Sequence, residues 1–85
     1  MTQVVIKILG TGCPNCLRLE RSVVQVLKEL EIAAEVEKVT DIPSILAYGI
    51  VGTPGLVINE RLKASGRVPG AGELTKMIRA ALAEA

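Results

Sequence analysis

Residues 6–16 read Ile-Lys-Ile-Leu-Gly-Thr-Gly-Cys-Pro-Asn-Cys and decide the fold, because an apolar strand pattern ends there and a helical pattern begins. The β-branched run over residues 3–9 predicts a mostly buried strand. From residue 14 to residue 30, apolar side chains recur every three or four positions, which is typical of a helix with one buried face. Pro14 suits the first helical position, and Cys13 falls at the helix cap. The sequence therefore predicts a strand-to-helix turn that carries two cysteines.

The composition predicts one small domain over residues 1–85. Hydrophobic residues make up 49% of the chain, and Tyr48 is the one aromatic residue, so the core must be aliphatic. The net charge of +1 and the lack of a basic run argue against a nucleic-acid or membrane-surface partner. No apolar stretch approaches the roughly 18 residues of a spanning helix, and no signal peptide is recognisable. We therefore expect a cytoplasmic monomer.

The rest of the chain predicts an α/β fold with the order β-α-β-α-β-β-α. Asp41 is placed to cap a short helix that Gly49 ends, and Asn59 with Glu60 forms a turn. The first crossover must be parallel and right-handed, whereas the last two strands form a hairpin. The remaining predicted elements are strands over residues 33–39, 55–59 and 62–66 and a final helix over residues 73–83.

The cysteine pair is the strongest chemical signal in the sequence. Two residues between Cys13 and Cys16 let both sulfurs meet across one helical turn. Unpaired amides at a helix N-terminus favour an anion, so we expect a lowered pKa for Cys13 and assign it as the nucleophile. Cys16 shares the apolar face with Leu19 and Val23 and is expected to be the shielded, resolving thiol. The simpler interpretation, two small buried hydrophobic residues, is disfavoured because chance rarely places both at a helix start.

A metal site is a further interpretation of the two thiols. Zinc usually takes about four cysteine or histidine ligands, and this chain has two cysteines and no histidine. A site within one chain is therefore disfavoured, whereas a site shared between two chains stays open.

Thr53 and Pro54 precede an apolar strand. One interpretation is an ordinary trans proline at the first residue of that strand. The functional interpretation is a cis-proline turn that exposes the backbone of Thr53 beside the sulfurs.

Residues 8–16, 48–59 and 66–69 resemble thioredoxins and glutaredoxins, and the similarity extends along nearly the whole chain. The chain looks closest to the small redox-active disulfide protein 2 family of archaeal and bacterial thioredoxin-like proteins. This resemblance implies a four-stranded mixed sheet in the order 2-1-3-4, with helices on both faces. It implies a thiol–disulfide oxidoreductase that acts on protein disulfides, is recycled by a reductase and needs no cofactor besides the Cys13–Cys16 disulfide. It also implies a cis Thr53–Pro54 peptide facing Cys13, and substrate contacts at Gly12, Pro14, Thr53, Pro54 and Gly66.

The sequence departs from thioredoxins at two site positions. Gly12 stands where they usually carry tryptophan, and Lys7 stands where they bury an aspartate as a proton acceptor. A cation near the thiols would favour the thiolate, but we favour the interpretation that Lys7 extends to solvent. No acidic pair follows Gly66, so glutathione use is disfavoured.

Two rival functions use the same fold signals. A copper chaperone also places a two-cysteine motif after its first strand, but that family ends in a strand and lacks a proline like Pro54. A non-catalytic interaction domain is disfavoured because both Cys13 and Cys16 are present and well placed.

Overall fold

The computed structural model describes residues 4–50 and 52–84. Its order confirms the predicted β-α-β-α-β-β-α fold. Gln3 and Val51, which belong to the predicted first strand and to the segment before Pro54, lie outside the described residues. The elements are β1 (Val4–Leu9), α1 (Pro14–Leu30), β2 (Ala34–Val39), α2 (Ile42–Ala47), β3 (Gly55–Ile58), β4 (Arg61–Ser65) and α3 (Ala71–Glu84).

The four strands form one mixed sheet in the order β2-β1-β3-β4, which confirms the order that the resemblance implies. β1 runs parallel to β2 and antiparallel to β3, and β3 runs antiparallel to β4. Asn59 and Glu60 both have positive φ, the geometry that tight hairpin turns favour. The backbone amide of Asn59 donates to the carbonyl of Val5, and its side-chain oxygen accepts from the Val5 amide at 2.9 Å. The β3–β4 turn is thereby fixed to the central strand.

The helices cover both faces of the sheet, with α1 and α3 on one face and α2 on the other. The larger cluster is built from aliphatic side chains of β1, β3 and the two long helices. Its fully buried members include Val4, Ile6, Leu19, Val23, Leu56, Leu74 and Ile78. A smaller cluster lies beneath α2 and contains Leu9, Ile45, Ile50 and Val57. The sheet thus separates two aliphatic layers.

Alternation along β1 decides which side chains meet the start of α1. Ile6 and Ile8 belong to the face covered by α1, whereas Leu9 packs in the cluster beneath α2. Lys7 shares the face of Leu9 and hydrogen-bonds Tyr48, at the end of α2. Residues at the beginning of α1 therefore lie over the face of Ile8, and Lys7 lies on the opposite face.

The ends of α1 match the predicted ones, whereas several other element ends differ by one or two residues. The final helix begins at Ala71 rather than at residue 73, and the Leu74 amide donates to the Gly70 carbonyl at 2.9 Å to close its first turn. Gly72 is a poor helix former, which is why the residue pattern favours a later start. β4 ends at Ser65 because Gly66 turns the chain with φ +73°. In the described part of the chain, no helix has both the length and the apolar character needed to span a bilayer.

Candidate active site

Cys13 and Cys16 lie at the first turn of α1. Cys13 is the N-cap residue with extended backbone (φ −65°, ψ 161°), and Pro14 follows at the helix start. The Cys16 amide donates to Cys13 Sγ at 3.2 Å. A disulfide joins the two cysteines, whose Cα atoms are 5.0 Å apart. The helix start therefore holds both sulfurs within one turn of backbone.

The two sulfurs differ in their access to solvent. Cys13 is half-buried, and its neighbours Gly12 and Pro14 are exposed. Cys16 is 5% exposed and lies on the inner face of α1, in the same buried row as Leu19. A group that approaches from outside therefore reaches Cys13, whereas Cys16 is accessible mainly from within the protein.

Gly10 lies directly beneath Cys16. A Cβ atom at Gly10 would overlap Cys16 Sγ and would lie 3.2 Å from Cys16 Cβ. The residue pattern predicts only that Gly10 ends the first strand. Its second role, close approach to the disulfide, depends on how α1 docks over the strand end and has no signal of its own in the sequence.

The Thr53–Pro54 segment lies beside the disulfide, and its peptide bond is cis. A Cβ at Gly10 would lie 3.8 Å from Thr53 Cβ, which places Thr53 next to the residue that underlies Cys16. Thr53 is exposed, whereas the ring of Pro54 is fully buried. The Gly66 amide donates to the Pro54 carbonyl at 2.9 Å. The fold thus brings Thr53, Pro54 and Gly66 together near the cysteines.

Gly12 and Gly66 both adopt positive φ, at +91° and +73°. This region favours glycine because other residues place Cβ against the backbone there. Both glycines are exposed, and a Cβ on either would meet nothing within 4 Å. Their identity therefore follows from backbone conformation, and the surface above them is open.

An apolar groove of about 320 Å³ adjoins the Thr53 segment. Thr11 and Thr53 line one side of it, and α2 lines the other through Ile42 and Leu46. Ile42 and Leu46 are 57% and 62% exposed, so two apolar side chains four residues apart on α2 form an exposed patch beside the groove. Nothing in the residue pattern directly predicts this groove. The available signal is an apolar pair four residues apart on a helix too short to bury both.

Lys7 does not point toward the disulfide. Its Nζ lies 2.5 Å from Glu60 Oε1 and donates to the Tyr48 hydroxyl at 3.1 Å, on the α2 face. The hydrogen bond to Glu60 raises the pKa of Lys7 and lowers the pKa of Glu60. The Lys7 side chain is 21% exposed and extends toward the surface, as the favoured interpretation expects. It meets Glu60 there.

Residues 4–50 and 52–84 contain no cluster of side chains that could bind a metal ion. No three His, Cys, Asp or Glu side chains of this part of the chain lie close enough together to hold a metal ion.

Comparison with known proteins gives one family. A family model described as a thioredoxin domain matches residues 4–79. The thioredoxin of Methanothermobacter thermautotrophicus is 42% identical over 73 residues, which cover 86% of this chain and 95% of that protein. The thioredoxin of Methanocaldococcus jannaschii is 37% identical over 79 residues, which cover 93% of this chain and 91% of that protein.

Solved thioredoxin structures share the fold. Chloroplastic thioredoxin z superposes with a TM-score of 0.67 at 24% identity, covering 96% of this chain and 80% of that one. The malaria parasite's thioredoxin-2 superposes with a TM-score of 0.70 at 13% identity, covering 92% of this chain and 82% of that one. At these identities the superpositions establish the fold alone.

Proposed function

The chain belongs to the thioredoxin family and is a thiol–disulfide oxidoreductase, and we propose that it exchanges disulfides with protein substrates through Cys13 and Cys16. The observation that carries this proposal is the unequal exposure of two bonded sulfurs at a helix start. An accessible sulfur accepts the substrate, and a buried one completes the exchange. The narrower assignment to the small redox-active disulfide protein 2 family stays a prediction.

Cys13 is the nucleophile in the proposed reaction. Its thiolate attacks one sulfur of a substrate disulfide, that bond breaks, and the other substrate sulfur leaves as a thiolate. The amide of Cys16 and the N-terminal dipole of α1 favour negative charge on Cys13 Sγ. Cys16 then attacks Cys13 Sγ, which re-forms the observed disulfide and releases the second substrate thiolate. Two protein thiols are oxidised, and one substrate disulfide is reduced.

Gly12, Pro14, Thr53 and Gly66 are the proposed substrate contacts, and Pro54 is proposed to support them. The exposure of Thr53 beside the cysteines supports backbone pairing with the substrate chain. Pro54 is buried, so its proposed part is to hold Thr53 in place rather than to touch the substrate. Gly12 and Gly66 present no side chain that would obstruct a polypeptide.

The groove along α2 supports a protein as the substrate. Exposed aliphatic groups such as Ile42 and Leu46 gain little from a small polar disulfide but bury apolar area against a polypeptide. Thr53 lines this groove as well, so the surface is continuous with the exchange site. We propose that an apolar side chain near the substrate's cysteine occupies it.

Trapping of mixed disulfides tests the proposed function. A Cys16→Ser protein keeps the nucleophile but lacks the resolving thiol, so it should retain disulfide substrates covalently on Cys13. A Cys13→Ser protein is the matched control and should retain none. Retention by the control, or by neither variant, contradicts the proposed roles. The retained proteins are identified by mass spectrometry after release with a reductant.

The cellular setting belongs to the same proposal. We propose a cytoplasmic monomer that a reductase returns to the dithiol state. The alternative, a copper-binding module, stays a prediction that a copper(I) titration of the reduced protein tests. Stoichiometric binding without disulfide reductase activity would favour that alternative.

A further inference from the structure

The segment between β4 and α3 connects the exchange site to the last helix. Gly66 turns the chain there with φ +73°, and its amide donates to the Pro54 carbonyl at 2.9 Å. A Cβ at Gly52 would lie 3.6 Å from the Gly66 Cα atom, so the two segments of backbone pass close to each other. Gly66 has no side chain whose packing could fix it. The contacts of its chain neighbours therefore help to determine where Gly66 lies relative to Thr53.

The chain neighbour Arg67 is joined to α3 by paired hydrogen bonds. Its Nη1 donates to Glu73 Oε1 at 3.0 Å, and its Nη2 donates to Glu73 Oε2 at 2.5 Å. A guanidinium group and a carboxylate that pair in this way are fixed in orientation as well as in distance. The Arg67 and Glu73 side chains are 52% and 43% exposed. An ordered ion pair thus lies at the surface directly after Gly66.

The place of Glu73 in α3 makes it a firm anchor. Glu73 lies in the first turn of the helix, where the helix dipole favours a carboxylate. The next residue, Leu74, is fully buried in the larger aliphatic cluster. The hydrogen bond from Arg67 lowers the pKa of Glu73, which keeps the carboxylate ionised at neutral pH. A side chain bound to Glu73 is therefore held to a helix that the core fixes in place.

These contacts form a short connection from α3 to the exchange site. Glu73 holds Arg67, which is the chain neighbour of Gly66. The Gly66 amide in turn holds the carbonyl of Pro54. We propose that the Arg67–Glu73 pair is a positioning device that keeps Gly66 and the Thr53 segment at the spacing a protein substrate needs, an inference that rests on the proposed exchange reaction.

The positioning role separates protein substrates from small ones. A polypeptide that lies across Thr53 and Gly66 contacts both segments at once, so its binding depends on their spacing. A small disulfide needs only the accessible sulfur of Cys13. Loss of the pair should therefore weaken the binding of protein substrates and leave the reaction with small disulfides unchanged.

Single-turnover reduction of insulin, a protein that contains disulfides, tests the proposal. Reduced protein is mixed with increasing concentrations of insulin, quenched with N-ethylmaleimide, and its oxidised fraction is measured by mass spectrometry. For Arg67→Gln and for Glu73→Gln we expect the half-saturating insulin concentration to rise roughly threefold, since exposed ion pairs have modest effects, and the limiting rate to stay unchanged. The rate with dithiobis(nitrobenzoate), a small aromatic disulfide, should also stay unchanged. Arg79→Gln removes an exposed cation from the same helix and is the matched control, which should behave as the wild type with both disulfides.

A protein that carries both changes separates positioning from direct binding. If Arg67 and Glu73 act as one unit, the double variant should raise the half-saturating concentration no more than either single change. A guanidinium group that itself binds the substrate would make Arg67→Gln the more harmful change, and that result overturns the proposal. Arg67→Lys keeps the charge but loses the paired hydrogen bonds, so it should resemble Arg67→Gln. A lysine variant with the wild-type half-saturating concentration would overturn the proposal as well.

The outcomes distinguish this proposal from the proposed function. A wild-type protein that does not reduce insulin overturns the exchange reaction with protein disulfides. A wild-type protein that reduces insulin, together with an Arg67→Gln protein that keeps the same half-saturating concentration, overturns only the role of the ion pair. A merely structural role would lower Tm and slow the reactions with insulin and with the small disulfide equally, and that result also overturns the proposal.

Discussion

At the scale of single residues, the different surroundings of the two cysteines predict different reactivity. Cys13 caps α1 and is accessible, whereas Cys16 is buried beneath it. In the reduced protein, iodoacetamide should modify Cys13 first, with a pH midpoint below the free-thiol value of about 8.5. Peptide mass spectrometry over a time course measures both rates. Equal rates, or faster modification of Cys16, would contradict the assignment of nucleophile and resolving thiol.

A side chain at position 10 should disturb the disulfide sterically. In a Gly10→Ala protein the added methyl group overlaps Cys16 Sγ, which is tied to Cys13 and has little freedom to move. We expect a loss of about 1–3 kcal/mol in the free energy of unfolding, together with slower disulfide exchange. Gly72→Ala is the control, because a Cβ there meets nothing within 4 Å and alanine favours the helix, so this protein should be at least as stable as the wild type. Urea unfolding of the wild type and both variants decides the matter. A Gly10→Ala protein as stable as the wild type would show that α1 shifts to accommodate the methyl group.

The charge of Lys7 should not affect the reactivity of the cysteines. Its ammonium group is neutralised by Glu60 on the α2 face, so its charge has little influence on Cys13. A Lys7→Met protein keeps most of the apolar stem and should show the wild-type pH dependence of Cys13 alkylation. A clear upward shift of that midpoint would show that Lys7 acts electrostatically on the thiolate despite its pairing.

At the scale of elements, the short helix α2 predicts a substrate effect separate from the chemistry. Leu46 lines the groove beside Thr53, so a charge there should hinder an apolar substrate segment. For Leu46→Glu we expect a several-fold higher KM toward a protein disulfide, as for a loss of about 1 kcal/mol of binding free energy. The rate with dithiobis(nitrobenzoate), a small aromatic disulfide, should stay unchanged.

Leu62→Glu provides the matched control for the groove. Leu62 is an exposed leucine on β4 and does not line the groove. If both variants raise KM equally, the effect reflects general surface charge, and the groove is not a substrate contact.

The helices and strands can be predicted from the periodicity of apolar residues, whereas the contacts between them cannot. The apolar spacing from Cys16 to Leu30 predicts α1 with the ends that the structure has, because each inward position is occupied by an apolar residue. The β1 strand and the cysteine motif are equally local signals. The groove at Leu46 depends on docking between separate elements, which the apolar periodicity within one element does not encode. Gly10 illustrates the difference. That it ends β1 is a local signal, whereas its contact with Cys16 depends on how α1 docks over the end of the strand.

At the scale of the whole molecule, the Lys7–Glu60 pair predicts how stability depends on pH. The pair connects β1 with the β3–β4 turn, and it lowers the pKa of Glu60 from 4.5. Because the pKa of Glu60 is lower in the folded protein than in the unfolded chain, its ionisation stabilises the folded state at pH values above the unfolded-state pKa. This stabilisation disappears as the pH falls through the folded-state pKa. The wild-type protein should therefore have a higher Tm than Glu60→Gln at pH 7, and the difference should vanish in acid.

A double-mutant cycle checks the origin of that effect. In a Lys7→Met background, Glu60→Gln should change Tm little at any pH, because the partner is already absent. Circular dichroism melts between pH 3 and pH 7 measure all four proteins. A Tm difference that persists in acid, or that survives without Lys7, would assign the effect to something other than the ion pair.

The position of Tyr48 has a consequence for optical experiments. It is the chain's one aromatic residue, and Lys7 Nζ lies 5.8 Å from the centre of its ring. Tyrosine emission and near-ultraviolet absorbance therefore report on the corner between α2 and Glu60, on the far side of the sheet from Cys16. Melting curves from tyrosine fluorescence will follow that corner, and agreement with helix melting by circular dichroism becomes a test of two-state unfolding.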